Sequence, residues 1–388
     1  MLAVILKYLK RYIFVLLVLV IVFGILGIGI YSTLPQPAEA DGNFNGLTLD
    51  VARIHYSVPT LEKFISLVHS TGGKFVQLHL SDTNDFAVES QIIGQTKKNG
   101  TKKGSVWENK KTKQTFYSNY QIKELVDFAE KQKITLIPEV DTPAHIGGIV
   151  ATMEENGKKS EIKNLVRTDH KLGLVFHLTA TSANFVNKLN NEIAQNFAGQ
   201  NNARFHLGGD EFSTSYKENS AYINYLNKTS NYIENLGFIP EAWNDGFTKA
   251  GLSKFNKDIQ ITYWNWIDDK NGTALGKKYE QSRATMPYLI NHGFKVFNYN
   301  DYYLYFIVNK FSMQKDNIDY MSSDMKKNWN PKIWHDDNPS SLKSTKGIIG
   351  SSASIWGQPG ENISQKSIYD SPITFFKTFM KICNKYES

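Results

Sequence analysis

Two acids stand side by side in the stretch RFHLGGDEF, Arg204 to Phe212: Asp210 and Glu211. Neighbouring side chains at a strand end point in different directions, so each carboxyl can meet its own surroundings. Acid–base chemistry asks this of a carboxyl pair, because different surroundings give different proton affinities. Gly208 and Gly209 remove bulk just before the pair and allow a close approach or an unusual turn. An isolated Asp-Glu pair is otherwise a turn with two solvated acids. The apolar lead-in through Phe205 and Leu207 places this one at the end of a strand. The letters GGDEF also occur as the signature of cyclases that make cyclic di-GMP, where an apolar strand returns after the motif. Here Ser213, Thr214, Ser215 and Tyr216 follow, and then a helical pattern, which argues against that reading.

The elements that position the pair alternate. Runs rich in β-branched and aromatic residues predict strands at 46–50, 75–80, 134–140, 203–207, 239–243, 259–264, 295–300 and 347–356. Helical patterns predict helices over 59–70, 120–132, 182–197, 220–236, 282–292 and 372–385. Eight strands with intervening helices predict α/β architecture, a single (β/α)8 TIM barrel over 46–388. A Lys/Asn/Thr-rich stretch, 96–115, reads as a long loop after the second strand.

In such a barrel the chemistry gathers at the C-terminal strand ends. The conspicuous polar residues fall there. The first strand runs into Asp50 and Arg53, the second into His79 and Asp82, the third into Glu139, Asp141 and His145. The fourth leads to Asp210 and Glu211, and the fifth to Trp243 and Asp245. Trp264 and Trp356 close the sixth and eighth. An indole face stacks on the apolar face of a pyranose while its N–H stays a donor, so three tryptophans at strand ends form a candidate sugar wall.

The chain has 388 residues, 41% hydrophobic and 13% aromatic, with net charge +7. The lysines are scattered in short runs and read as a solvated basic surface, with no nucleic-acid partner implied. A single cysteine, Cys383, excludes an internal disulfide. The N-terminus divides into a basic stub (1–12), an uncharged apolar run (13–30) and a linker (31–45). Eighteen apolar residues are near the length that crosses a bilayer, and the preceding Lys7, Lys10 and Arg11 favour a cytoplasmic N-terminus. The expectation is a transmembrane anchor holding the barrel on the extracellular face, or a secreted protein if the chain is cut near Ala40.

From Gly46 onward the motifs LDVARIHYS, LHLSD, PEVDTPAH, HLGGDEF, AWNDG, TYW and SIWG follow one another. In that order they resemble family 20 glycoside hydrolases, the β-N-acetylhexosaminidases. HLSDTNDFAVES and NYNDYYLY resemble the dispersin-type branch, which cuts the biofilm polymer poly-β-1,6-N-acetylglucosamine.

The resemblance implies a retaining hydrolase whose substrate's own 2-acetamido oxygen is the nucleophile, an exception to the two-carboxylate scheme. It implies Glu211 as general acid and Asp210 as the partner of the acetamido N–H. Tyr305, or Tyr303 in the other register of YYLY, would bond the acetamido oxygen. Trp243, Trp264 and Trp356 would enclose the sugar. Arg53 and Asp245 would hold hydroxyls, with Asp82 beside them, and Asp141 and His145 would support the acid. No metal, organic cofactor or protein partner is implied. Asp269 is a candidate contact for a partly deacetylated, cationic chain. The family pattern has Gly-Glu after the last tryptophan, whereas this chain has Gly357-Gln358, and a neutral amide bonds hydroxyls more weakly than a carboxylate. Chitin or wall-glycan ends are alternative substrates, and a silent surface glycan-binding protein is the alternative of another class.

Overall fold

The structure, a computed structural model, describes residues 43–212, 219–264, 282–335, 342–358 and 363–386. The expected membrane segment, 13–30, and Asp269 lie outside them. Among the described residues no helix is long and apolar enough to cross a membrane.

The eight predicted barrel strands form. They are β1 (Gly46–Asp50), β2 (Phe75–His79), β3 (Thr135–Glu139), β4 (Arg204–His206), β5 (Ile239–Trp243), β6 (Gln260–Tyr263), β7 (Val296–Asn298) and β8 (Ile348–Gly357). Each pairs in parallel with the next. β8 then pairs back onto β1, Gly46 opposite Ser352 and Leu49 opposite Ile355, and this closes the barrel.

Parallel neighbours need a crossover, and amphipathic helices supply it. Val58–Ser70 buries Leu61, Phe64, Ile65 and Val68, the spacing of one helical face, and Ser57 caps its start. Asn119–Lys131 opens with a capping box from Ser118 and Gln121. The predicted helix over 282–292 is shorter, Met286–Asn291. Pro287 favours the first turn, and Arg283 is instead bridged to Thr248.

Two further differences matter for the site. The stretch read as a loop contains a short helical turn (Lys97–Asn99) and a three-stranded antiparallel sheet: Gly100–Lys103, Val106–Asn109 and Thr115–Phe116. Its lysines hide the pattern, but Val106, Asn109 and Phe116 are buried beneath them. The other difference is at β7. After it the chain makes a helical turn (Asp301–Leu304) and resumes as a strand, Tyr305–Val308, which pairs with β8, Tyr305 opposite Ser354. The turn is capped by Asn300, whose Oδ1 accepts the Tyr303 N–H at 3.0 Å.

The barrel lumen is aromatic and polar rather than aliphatic. Phe44, Phe75, Phe297, Tyr299, Trp243 and Trp356 form a continuous core inside it. Near its base Arg204 donates to Glu241 at 2.6 Å, both fully buried, with the guanidinium 4.5 Å above Phe44. At mid-height Gln77 donates to Glu139 at 2.8 Å, and the Tyr299 hydroxyl donates to Gln77 at 2.7 Å.

Candidate active site

Beyond β4 the chain turns sharply at Gly208 and Gly209, with φ of +80° and +93°. Both glycines are required twice over. L side chains rarely adopt that conformation. A Cβ at Gly208 would also lie 2.2 Å from an Asp141 carboxylate oxygen, and one at Gly209 2.6 Å from the Tyr222 hydroxyl. Asp141 Oδ1 fastens the turn by accepting the N–H groups of Gly209 (2.8 Å) and Asp210 (3.2 Å). Glu211 also sits at positive φ, +53°, a conformation that costs of order 1 kcal/mol outside glycine. This turn leaves the Asp210 and Glu211 side chains 24% and 45% exposed at the open end of the barrel. Phe212 beyond them is buried and stacks on Tyr222, which anchors the far side of the turn.

His145, from the loop after β3, reaches both acids with one nitrogen. Its Nε2 lies 3.5 Å from Glu211 Oε2 and 3.8 Å from Asp210 Oδ2, and its Nδ1 lies 3.9 Å from Asp82 Oδ1. Burial opposes charge on this imidazole, but the contact with Glu211 and the fields of Asp141, Asp210 and Asp82 outweigh it. The pKa is pushed up to about 10. The two acids diverge. The His145 contact holds the Glu211 carboxyl below its ordinary value against partial burial. Burial, aided by Asp245, Asp141 and Glu211, pushes Asp210 well above its ordinary value despite His145. Of the two carboxyls, Asp210 therefore has the higher proton affinity in the empty site.

A buried ladder backs this pair. Arg53 bonds Asp50 (3.1 Å) and Asp82 (2.5 Å), and His79 bridges Asp82 (3.0 Å) and Glu139 (3.0 Å). Glu139 accepts the Trp243 indole N–H at 2.6 Å. For Asp82, burial would raise the pKa, but His79 and Arg53 win and lower it.

Three of the acids singled out in the sequence are buried in the empty site. Asp82 and Asp141 are fully buried and bonded to protein, so they hold Arg53, His79 and the Gly-Gly turn rather than line an opening. Asp245 is likewise buried. It accepts the Trp264 indole N–H at 2.8 Å and faces Arg283 at 3.5 Å, so it orients Trp264. Trp243, 1% exposed, lies beneath the opening as its floor. The remaining aromatic residues come together as expected. Tyr305 lies edge-on to Trp356 (5.5 Å) and near-parallel to Trp264 (6.4 Å, 12°). Of the two candidate tyrosines, Tyr305 is the one that faces these tryptophans. Tyr303 packs on the outer core instead. Arg53 lies 5.8 Å over Trp356, and exposed Gln358 follows Gly357, whose N–H bonds Asp50 at 3.0 Å.

His79 and Glu139 were visible as polar strand ends, but their bridging roles were not. Gln77 and Arg283 carried no signal, because each acts through a partner distant in sequence. Asp141, His145 and Asp210 offer ligand atoms within 4.8 Å of one another, the set among the described residues that could hold a cation.

The arrangement joins two carboxyls of unequal proton affinity, both facing one imidazole, to an aromatic enclosure with hydroxyl and guanidinium donors. The catalytic-domain profile of glycosyl hydrolase family 20 matches residues 43–373. The chain belongs to that family. It is 26% identical over 252 residues to β-hexosaminidase subunit beta of Entamoeba histolytica, which is 58% of this chain and 41% of that protein. It is 23% identical over 367 residues to lacto-N-biosidase of Bifidobacterium bifidum, 88% of this chain and 28% of that protein. The chain thus spans less than half the length of these two relatives. The crystal structure of Dispersin B superposes with a TM-score of 0.83 at 29% identity, covering 88% of this chain and 99% of that one.

Proposed function

We propose that this member of glycosyl hydrolase family 20 is a retaining β-N-acetylglucosaminidase working by substrate assistance. One observation carries the reading: Asp210 and Glu211 share a single imidazole nitrogen. They are consecutive residues of one turn, and membership of family 20, an exception to the two-carboxylate scheme, supports roles as acid and orienting partner rather than acid and nucleophile. The nucleophile then comes from the substrate.

Glu211, the more exposed acid, protonates the glycosidic oxygen as that bond to C1 breaks. The acetamido oxygen of the same sugar bonds C1 and forms an oxazolinium. Asp210 accepts the acetamido N–H and stabilises the positive charge that grows there. The Tyr305 hydroxyl donates to the acetamido oxygen. Water, deprotonated by Glu211, then attacks C1 from the face the alcohol left as the bond from C1 to the acetamido oxygen breaks, and configuration is retained. In the empty site Asp210 has the higher proton affinity of the pair. Binding of the N–H favours the Asp210 carboxylate, so a proton held there moves to Glu211, where protonation of the leaving oxygen needs it. Trp264, Trp356 and Tyr305 enclose the sugar and Trp243 forms the floor. Arg53 and Gln358 meet hydroxyls.

The substrate we propose is poly-β-1,6-N-acetylglucosamine. The likeness to Dispersin B over nearly all of that chain supports it. The apolar run 13–30 would hold the barrel at the outer face of the membrane. The full chain in non-ionic detergent is to be incubated with the purified polymer, and new reducing ends and product sizes followed. N-acetylglucosamine or short oligomers are the expected products. Activity on chitin oligomers with none on the β-1,6 polymer would overturn the substrate. Inertness toward every N-acetylglucosaminide would overturn the reaction.

A further inference from the structure

Six of the chain's seven net positive charges fall between Lys97 and Lys113, where seven lysines face one acid, Glu108. All seven are exposed. They stand on the small antiparallel sheet, not on a loose loop. The turn Lys97–Asn99 abuts the turn at 110–113, because the Lys110 N–H donates to the Asn99 carbonyl at 3.0 Å. The buried Asn109 carboxamide clamps the second turn by accepting the N–H groups of Lys111 (3.0 Å) and Thr112 (3.3 Å). Glu89 clamps the first by accepting the Lys97 N–H at 3.1 Å. Lys97, Lys98, Lys110, Lys111 and Lys113 therefore project from two fastened, adjacent turns.

Their charges are not matched from within. Lys103 lies 3.9 Å from Glu108 and Lys111 4.0 Å from Glu155, exposed pairs of little worth. Among the described residues no carboxylate lies within 4.0 Å of the other five ammonium groups. Buried Asn109 and Glu89 hold together a cluster of like charge that the described carboxylates leave largely unmatched, an arrangement suited to an anionic partner. The cluster is on the reactive side of the barrel. Ser105, in the same sheet, accepts the Val58 N–H at 3.1 Å and a bond from Gln121. Both belong to first turns of helices that follow β1 and β2.

We propose that this platform binds a linear polyanion built of polyol phosphodiesters, and holds the enzyme on that polymer beside its substrate. Lysine ammoniums are point charges that tolerate any phosphate orientation. The segment has no arginine, so recognition there is by point charges rather than by the bidentate fork. Nor does it carry the row of aromatics on which nucleic-acid bases stack; Trp107 is alone and half-buried. Binding is independent of hydrolysis, so the two readings can fail separately.

The test measures retention of the full chain, in non-ionic detergent, by immobilised poly(glycerol phosphate) across a salt series. One variant combines Lys97→Gln, Lys98→Gln, Lys110→Gln and Lys113→Gln. A control combines Lys326→Gln, Lys327→Gln, Lys377→Gln and Lys381→Gln, all exposed and elsewhere. The platform variant is expected to bind at least about 10-fold more weakly, with a salt slope shallower by roughly 3, as four lost phosphate contacts imply. The control should bind as the parent does, and all three proteins should turn over a small aryl N-acetylglucosaminide equally. An equal loss in the control, or no retention at ~0.15 M salt, overturns the proposal. Tighter capture by single-stranded DNA of matched charge, or by anionic phosphatidylglycerol vesicles, overturns it too.

Discussion

His145 Nε2 stands 3.5 Å from Glu211, and the same nitrogen faces Asp210 at 3.8 Å. One imidazole therefore faces both carboxyls. It lowers the proton affinity of Glu211 directly, while Asp210, deeper and beside other acids, has its proton affinity raised.

The first consequence concerns leaving groups. Glu211→Gln removes the acid and the later base but keeps the shape of the side chain. With alcohol leaving groups kcat should fall about 10²- to 10⁴-fold, the usual contribution of general acid–base catalysis. Nitrophenolate departs without a proton, so its release should fall less. Steady-state rates across a series of leaving-group pKa values check this, and equal losses throughout the series would show that Glu211 is not the acid.

A second concerns pH. In the proposed mechanism the free enzyme needs one proton on the pair, and the alkaline limb of kcat/KM reports its loss. Because Asp210 is raised and Glu211 lowered, the limb of the parent follows the raised affinity and lies above the ordinary carboxylate range. Asp210→Asn leaves Glu211 as sole holder of the proton, with its affinity still depressed by His145. The limb should then move to lower pH. Profiles of kcat/KM for both proteins measure it, and an upward shift would reverse the assignment.

Tyr305 gives a third prediction. The strand after the Asp301–Leu304 turn sets it against Trp264 and Trp356, whereas Tyr303 packs on the outer core. Tyr305→Phe removes a donor aimed at developing charge and should cost about 10²-fold in kcat. Tyr303→Phe should stay within about 2-fold, near the small effects of changes away from buried networks. The same assay on both variants compares them directly.

These relationships differ in how plainly the sequence carries them. The eight barrel strands were legible because each is a short apolar run between turn signals. Asp210 and Glu211 were legible because two glycines and a strand precede them. The register of YYLY was not, since a strand interrupted by a helical turn shows no period of its own. Asp82 and Asp245 look like contacts for sugar in the sequence because polar residues at strand ends look alike. Whether such a residue faces the opening or braces a neighbour depends on partners such as His79, the Gly209 N–H and Arg283, which are remote in sequence. The lysines of 97–113 were read as a solvated loop because their number masked the buried Val106, Asn109 and Phe116.

The last prediction concerns the barrel's base, where Arg204 and Glu241 pair at 2.6 Å with no access to water. Taking two charges out of water costs several kcal/mol each, and mutual attraction roughly offsets that only while both partners are present. Glu241→Ala strands a guanidinium between Phe44 and Phe297 and should destabilise the fold by about 3–5 kcal/mol. The double change Arg204→Met with Glu241→Leu removes both charges and refills the space, so it should recover most of that loss. Urea midpoints at unchanged slope measure the difference. If the double variant is no more stable than Glu241→Ala, the pair itself, rather than the orphaned charge, holds the base of the barrel together.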